Sequence, residues 1–286
     1  MRTIGVLAGE HIAVAVVEEN RVASTIRRYP ENETLSEAPA ESYAELLRHA
    51  IKEAAAFEEV GTIGVGMPGI IRKGLIEESP NLQQLKGLNL REALASTFPA
   101  SSVMILNDAE AVAAGIAATR GELQNLVRVW TLGTGLGFGR YPRADGVWEA
   151  GHSVVTLDPK ERFCGCGGVG HLEGILGHRA MRLRFLDMEP EEIFEAAMAG
   201  DDRCRKFANL FHRALAAATA TSIHLDGPGK FYLTGPNSKF VETGLLHVFL
   251  HDMVKMSALQ GSYFEVIPTP DEIAIIGAAV NARAGR

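Results

Sequence analysis

Apolar residues open the chain in short runs, Thr3 to Leu7, Ile12 to Val17 and Val22 to Ile26, separated by Gly9-Glu10 and Glu19-Asn20. Runs of this length bounded by turn formers read as strands, and three in succession predict a β-meander. Pro30 to Pro39 is polar and proline-bounded, a loop. Beyond it Tyr43, Leu46, Leu47, Ile51 and Ala54 recur at helical spacing, which predicts a helix with one face on the sheet. Thr62 to Gly66 is another apolar run, ending in Met67-Pro68-Gly69, where proline fixes φ and glycine relaxes it. Val103 to Leu106 predicts a further strand, followed at once by Asn107-Asp108 and an alanine-rich helix from Ala109 to Thr119.

The pattern then begins again. Leu126 to Leu132 and Phe138 to Tyr141 flank the loop Gly133-Thr134-Gly135-Leu136-Gly137, as at the start of a second meander. A cysteine- and glycine-rich segment spans Glu149 to Glu173, helices follow through about His224, a strand covers Phe231 to Thr234, and an alanine-rich helix follows Ile276. Strands alternating with helices predict an α/β protein of mixed sheets with helices on their faces. The expected lobes are a small one, 1–118 with the C-terminal helix 273–286, and a larger one, 119–272, joined by a turn. With 286 residues, 47% of them apolar, each lobe can bury its own core.

Charge narrows the function classes. The chain carries 28 basic and 35 acidic residues, a formal charge of -7, and no Lys/Arg-rich run to neutralise a row of phosphates, so no nucleic-acid partner is expected. No apolar stretch approaches the roughly 20 residues that cross a bilayer, and the start lacks the pattern of a secretory signal, so no membrane partner and a cytoplasmic location are expected. Three cysteines, with Cys164 and Cys166 too close in sequence for an ordinary disulfide, fit a reducing compartment.

Three places could carry chemistry. Asn107-Asp108 lies where a buried strand gives way to a helix, the usual position for ligand-binding side chains in open α/β sheets. A carboxylate there can deprotonate a hydroxyl, or Asp108 can simply cap the helix. Glycines at 133, 135, 137 and 139 around Thr134 let backbone N–H groups approach an anion, although a hairpin would use glycines too. His152, Cys164, Cys166 and His171 share a twenty-residue window and match the ligands of a closed, structural zinc site, with incidental thiols in a glycine loop as the alternative. Glu149 and Glu173 bracket that window, as solvated charges or as acceptors for sugar hydroxyls, and Trp148 could face a sugar or pack.

Taken together, Met67-Pro68-Gly69, Gly74, Ser79-Pro80-Asn81-Leu82, Leu106-Asn107-Asp108-Ala109 and Gly133-Thr134-Gly135-Leu136-Gly137 resemble segments of the ROK sugar kinases in order and spacing. Most diagnostic are Glu149-Ala150-Gly151-His152 and the run from Cys164 to Glu173, similar to the family's G-E-x-G-H and C-x-C-G-x-x-G-C-x-E signatures, with His171 in place of the last cysteine. Ile275-Ile276-Gly277-Ala278-Ala279 resembles the family's closing helix. The resemblance implies a two-lobed actin-like ATPase (ribonuclease H-like) fold and ATP-dependent phosphorylation of a hexose or hexosamine. It implies Asp108 as general base, Asn81, Asn107, Glu149, His152 and Glu173 around the sugar, and a nucleotide site with Gly133, Thr134, Gly135 and Gly137 at the phosphates and Gly235 in the adenosine-side turn. It also implies magnesium-ATP, structural zinc on His152, Cys164, Cys166 and His171, and a homodimer or homotetramer.

The nucleotide side departs from that pattern. Where the family has D-x-G-G-T, this chain has Leu7-Ala8-Gly9-Glu10-His11, one residue shorter, with Leu7 for the carboxylate and Glu10 for the second glycine. Thr234-Gly235-Pro236 stands where a Gly-Gly pair is expected. A ROK-like sugar-binding protein or sensor without catalysis is therefore the competing expectation. A DNA-binding repressor is not expected, because the chain starts at the first strand with no helix-turn-helix before it.

Overall fold

The computed structural model describes every residue except Asp145, Val147, Trp148, Thr269, Pro270 and Arg286. Trp148, a candidate sugar-facing aromatic, thus lies outside the described residues. In chain order the elements are β1 (Arg2–Ala8), β2 (Ile12–Glu18), β3 (Arg21–Val22), β4 (Arg27–Tyr29), α1 (Ala40–Ala54), β5 (Val60–Met67), β6 (Ile70–Arg72), β7 (Leu75–Glu78), α2 (Leu90–Ala95), β8 (Ser102–Asn107) and α3 (Asp108–Thr119). They continue with β9 (Val127–Leu132), β10 (Leu136–Tyr141), α4 (Glu173–Leu176), α5 (His178–Arg184), α6 (Pro190–Ala199), α7 (Asp202–Asp226), β11 (Lys230–Thr234), α8 (Thr243–Met253), β12 (Tyr263–Val266) and α9 (Asp271–Ala284). The chain forms two compact units: Met1–Val127 with Gly139–Val147 and Thr269–Arg286, and Arg128–Phe138 with Trp148–Pro268.

In the first unit the sheet runs β3-β2-β1-β5-β8, with β4 also on β2. β1 pairs antiparallel with β2 and parallel with β5, and β5 is parallel to β8. Both faces are covered, so the strands read as continuous apolar runs. Ile4, Val6, Ile12, Val14 and Val16 join Leu47 and Ile51 of α1 in one core. The alternate residues Ala13, Ala15 and Val17 join Ala114 of α3 and Ile275 and Ala279 of α9 in another. That second face is made for close approach. A Cβ on Gly5 would lie 2.1 Å from the Ile275 carbonyl oxygen, and one on Gly277 would lie 1.7 Å from that of Ala111. The alanine-rich helices are thus packed backbone to backbone.

The second unit has the sheet order β10-β9-β11-β12, with β11 parallel to both β9 and β12. Trp130, Leu233 and Phe231 of its strands pack with Phe207, Phe211 and Leu215 of α7.

Several elements differ from the sequence pattern. The third strand, expected from Val22 to Ile26, is two short pieces, because Ser24 Oγ accepts the Val16 N–H (3.0 Å) that a ladder carbonyl would take, and pairing resumes at Arg27. The β6–β7 hairpin and β12 were not expected, and the last helix begins at Asp271 rather than after Ile276.

Candidate active site and metal centre

Within the first unit, β8 delivers Asn107 and Asp108 to the start of α3. Asn107 is the N-cap: its Oδ1 accepts the Ala109 N–H at 2.8 Å. Its Nδ2 donates to the Gly69 carbonyl at 2.9 Å. Gly69 has φ +115, and a Cβ there would meet the Glu78 carbonyl oxygen at 2.0 Å, so the turn requires glycine. Buried Ser79 donates to the Pro68 carbonyl at 2.9 Å, tying the same turn to the end of β7. The cap of α3 is therefore Asn107, which corrects the reading of Asp108 as the cap. Asp108 is the first helical residue, half-buried, and its Oδ1 also accepts the Ala109 N–H at 2.9 Å. Asn81 is exposed in the turn after β7.

The first hairpin, Gly9 to His11, is fixed through its backbone. The Gly9 N–H donates to the His11 carbonyl (2.9 Å), the Leu35 N–H to the Glu10 carbonyl (2.8 Å), and the Tyr43 hydroxyl to the Gly9 carbonyl (3.0 Å). Burial pushes the Tyr43 phenol well above its usual range, so it stays a donor. The Glu10 and His11 side chains are exposed, while Leu7 packs half-buried against the α3/α9 cluster.

Sequence reasoning missed Glu110. It is buried on α3, bonded by Arg143 Nε at 3.2 and 3.3 Å. Burial raises its carboxyl above the ordinary range, and Arg143 offsets part of that rise. The available signal was a lone carboxylate inside an alanine-rich stretch. Gly139, grouped with the phosphate glycines by sequence, has a packing reason: its Cβ would lie 1.8 Å from the Ala109 carbonyl oxygen.

Within the second unit, the structure brings His152, Cys164, Cys166 and His171 together, with their ligating atoms all within 4.8 Å of one another. The two Nδ1 atoms are 3.3 Å apart, the two Sγ atoms 3.4 Å, and the resolved sulfur–nitrogen separations run from 3.2 to 3.5 Å. Bonds of about 2.0–2.3 Å to a tetrahedral zinc give edges of roughly 3.3–3.8 Å, so the donor set fits that ion. Burial, with Glu173 nearby, pushes the Cys164 thiol up to about 12, and a cation is what would make it a ligand. With Nδ1 turned to this centre, His152 Nε2 lies 4.0 Å from Glu149 Oε2. Burial raises the Glu149 carboxyl, with His152 opposing the rise and Glu173 adding to it.

Glu173 opens α4 and spans two features. Its Oε2 accepts the Leu136 N–H at 3.1 Å, and its Oε1 accepts from Cys164 Sγ at 3.4 Å. The glycine loop between β9 and β10 is three residues, Gly133 to Gly135, with Gly137 already inside β10. A Cβ on Gly135 would come 2.7 Å from Glu173 Oε2. The Gly133 carbonyl accepts from the His178 N–H (3.0 Å) and from the buried Asn237 Nδ2 (3.0 Å), a clamp the sequence did not disclose. Gly235 has φ +89 and sits against the Leu132 carbonyl oxygen, 2.4 Å from where its Cβ would be.

The profile of the ROK family matches residues 3–278. The chain belongs to the ROK family. The glucokinase of Pyrobaculum calidifontis is 31% identical over 178 residues, 58% of each chain. This chain therefore spans under two thirds of the length of that curated relative. The N-acetylmannosamine kinase of Salmonella newport is 29% identical over 245 residues, 78% of this chain and 80% of its own. The ROK hexokinase of Thermus thermophilus superposes with a TM-score of 0.80 at 25% identity, covering 100% of this chain and 99% of that one. The fold is that of the ROK actin-like ATPases. No helix among the described residues is long and apolar enough to cross a membrane.

Proposed function

We propose that this ROK chain transfers the γ-phosphoryl group of ATP to a hydroxyl of a hexose or hexosamine. One observation carries the reading: a carboxylate, Asp108, at the carboxyl end of β8, with the capping position of α3 already filled by Asn107. Asp108 takes the proton of the attacking hydroxyl, the sugar oxygen bonds to the γ-phosphorus, and the bond to the β-phosphate oxygen breaks to release ADP. Asn81, Asn107, Glu149, His152 and Glu173 hold the sugar. An amide has two N–H groups, so Asn107 keeps one beside its bond to Gly69. Gly133, Thr134, Gly135 and Gly137 admit the phosphates, and Gly235 lies in the turn on the adenosine side. Magnesium, when bound with ATP, neutralises charge on the transferring group. His152, Cys164, Cys166 and His171 would hold zinc, which would pin the loop that leads into Glu173 at the start of α4. The names of the glucokinase and N-acetylmannosamine kinase relatives support the substrate class. The same reading implies a homodimer or homotetramer, which sedimentation equilibrium tests.

The first hairpin favours a second reading, sugar binding without transfer. Leu7 is packed among apolar residues where the family has a magnesium carboxylate, and the Glu10 side chain is exposed at the turn. Calorimetric titration of magnesium-ATP, with and without hexoses and hexosamines, separates the two. Nucleotide binding that tightens with sugar is expected for the kinase, and sugar binding without nucleotide binding would replace it by the second reading.

A further inference from the structure

Three of the four candidate metal ligands, Cys164, Cys166 and His171, sit on a chain segment that is costly to order. Between Cys164 and His171 lie Gly165, Gly167, Gly168 and Gly170, and Gly167 and Gly170 have φ of +81 and +70. Glycine backbones lose the most freedom on fixing, so a loop that ordered only on metal binding would draw that cost from the metal's affinity.

A pair outside the ligand set holds the segment at both ends. Arg184, at the end of α5, meets Glu161 in a two-pronged ion pair, Nη1 to Oε1 at 2.9 Å and Nη2 to Oε2, with the side chains only 15% and 12% exposed. The guanidinium lies over the Phe163 ring, 4.2 Å from its centroid, and faces Phe207 of the helical core at 5.4 Å. Nη2 also donates to the Gly174 carbonyl at 3.2 Å. The Glu161 backbone carbonyl in turn accepts the Gly170 N–H at 2.7 Å. Glu161 and Phe163 precede Cys164, and Gly170 and Gly174 flank His171, so one guanidinium anchors the entrance and exit of the loop. Planarity, stacking and two parallel bonds are properties of arginine that lysine lacks.

We propose that Arg184 and Glu161 are positioning residues that pre-organise the Cys164–His171 loop, and that zinc affinity depends on them although neither is a ligand. The proposal rests on the metal reading above. The test is the zinc dissociation constant of the full-length chain, by competition with a chromophoric chelator, for wild type, Glu161→Gln, Arg184→Met and the control Arg203→Met. Arg203 likewise lies over a phenylalanine (Phe185, 4.4 Å) and pairs with an aspartate (Asp187), both outside the Cys164–His171 loop in sequence. Glu161→Gln and Arg184→Met are expected to weaken zinc about 10–100-fold with circular dichroism unchanged, as outer-shell changes do, and Arg203→Met to leave it unaltered. Affinity equal to wild type in both loop variants overturns the proposal, even if their thermal midpoints fall. Should Arg184→Met fail to fold, the near-isosteric Glu161→Gln decides. A wild-type chain that takes up no zinc instead overturns the metal reading itself, and the positioning role with it.

Discussion

Asn107→Ala removes two bonds at once, one of the two acceptors of the Ala109 N–H (2.8 Å, with Asp108 Oδ1 remaining at 2.9 Å) and the donor to the Gly69 carbonyl at 2.9 Å. Replacing an N-cap asparagine by alanine costs about 1 kcal/mol, and losing a half-buried hydrogen bond costs about as much again. The sum, about 2 kcal/mol, raises the opening equilibrium of the first turn of α3 about 30-fold. Amide hydrogen exchange reads that opening, comparing peptides that span 108–116 with peptides of α7 as internal reference. Asn107→Asp keeps a cap acceptor and loses only the donor, so about 1 kcal/mol, or roughly fivefold faster exchange, is expected. The reasoning is refuted if Asn107→Ala leaves exchange in 108–116 at the wild-type rate, or if Asn107→Asp is as damaging as Asn107→Ala.

Three further outcomes follow from the packing and charges. Chelation of the zinc-loaded chain should make exposed Cys166 react readily with a thiol reagent while buried Cys164 lags; mass spectrometry showing no change in Cys166 labelling on chelation contradicts the shared metal site. Gly277→Ala places a methyl group 1.7 Å from the Ala111 carbonyl oxygen and 2.4 Å from the Gly115 nitrogen, both backbone. It should lower stability by about 3 kcal/mol or prevent folding, and a thermal midpoint like wild type would contradict that. Because burial raises the Glu110 carboxyl in the folded chain, ionising it costs stability as pH rises from the ordinary glutamate range through the raised value. Glu110→Gln removes that cost, so its stability relative to wild type should improve between pH 4 and pH 7 in denaturant titrations. A difference that is flat or of opposite sign would contradict the assignment.

Much of the fold was legible because apolar runs and turn residues coincide in this chain. β1, β2, β5, β8 and α3 lie where the hydrophobic pattern predicts them, since strands covered on both faces leave unbroken runs such as Ile12 to Val17. What stayed hidden depends on partners distant in sequence. The break after Val22 comes from one hydroxyl, Ser24, accepting the Val16 amide. The requirement for Gly139 comes from the Ala109 carbonyl, thirty residues earlier, and no local pattern distinguishes it from a phosphate-loop glycine. At the candidate metal centre the residue types match a zinc ligand set, and the chain brings all four side chains together. Asn107 was read as a substrate ligand and Asp108 as base or cap; only the hydrogen bonds show that Asn107 holds both the cap and the Met67-Pro68-Gly69 turn. Glu110 and Asn237 were invisible, because a buried polar residue in an apolar context is recognised by its partner, Arg143 in one case and the Gly133 carbonyl in the other.

The central claim is phosphoryl transfer with Asp108 as base. Its most direct test is ADP release by purified chain with magnesium-ATP and a panel of hexoses and hexosamines, wild type against Asp108→Asn, with the sugar phosphate identified by mass spectrometry. The account predicts turnover of at least one sugar, and for Asp108→Asn a loss of about 100-fold or more in kcat with sugar affinity largely kept. Turnover that survives Asp108→Asn undiminished would contradict it.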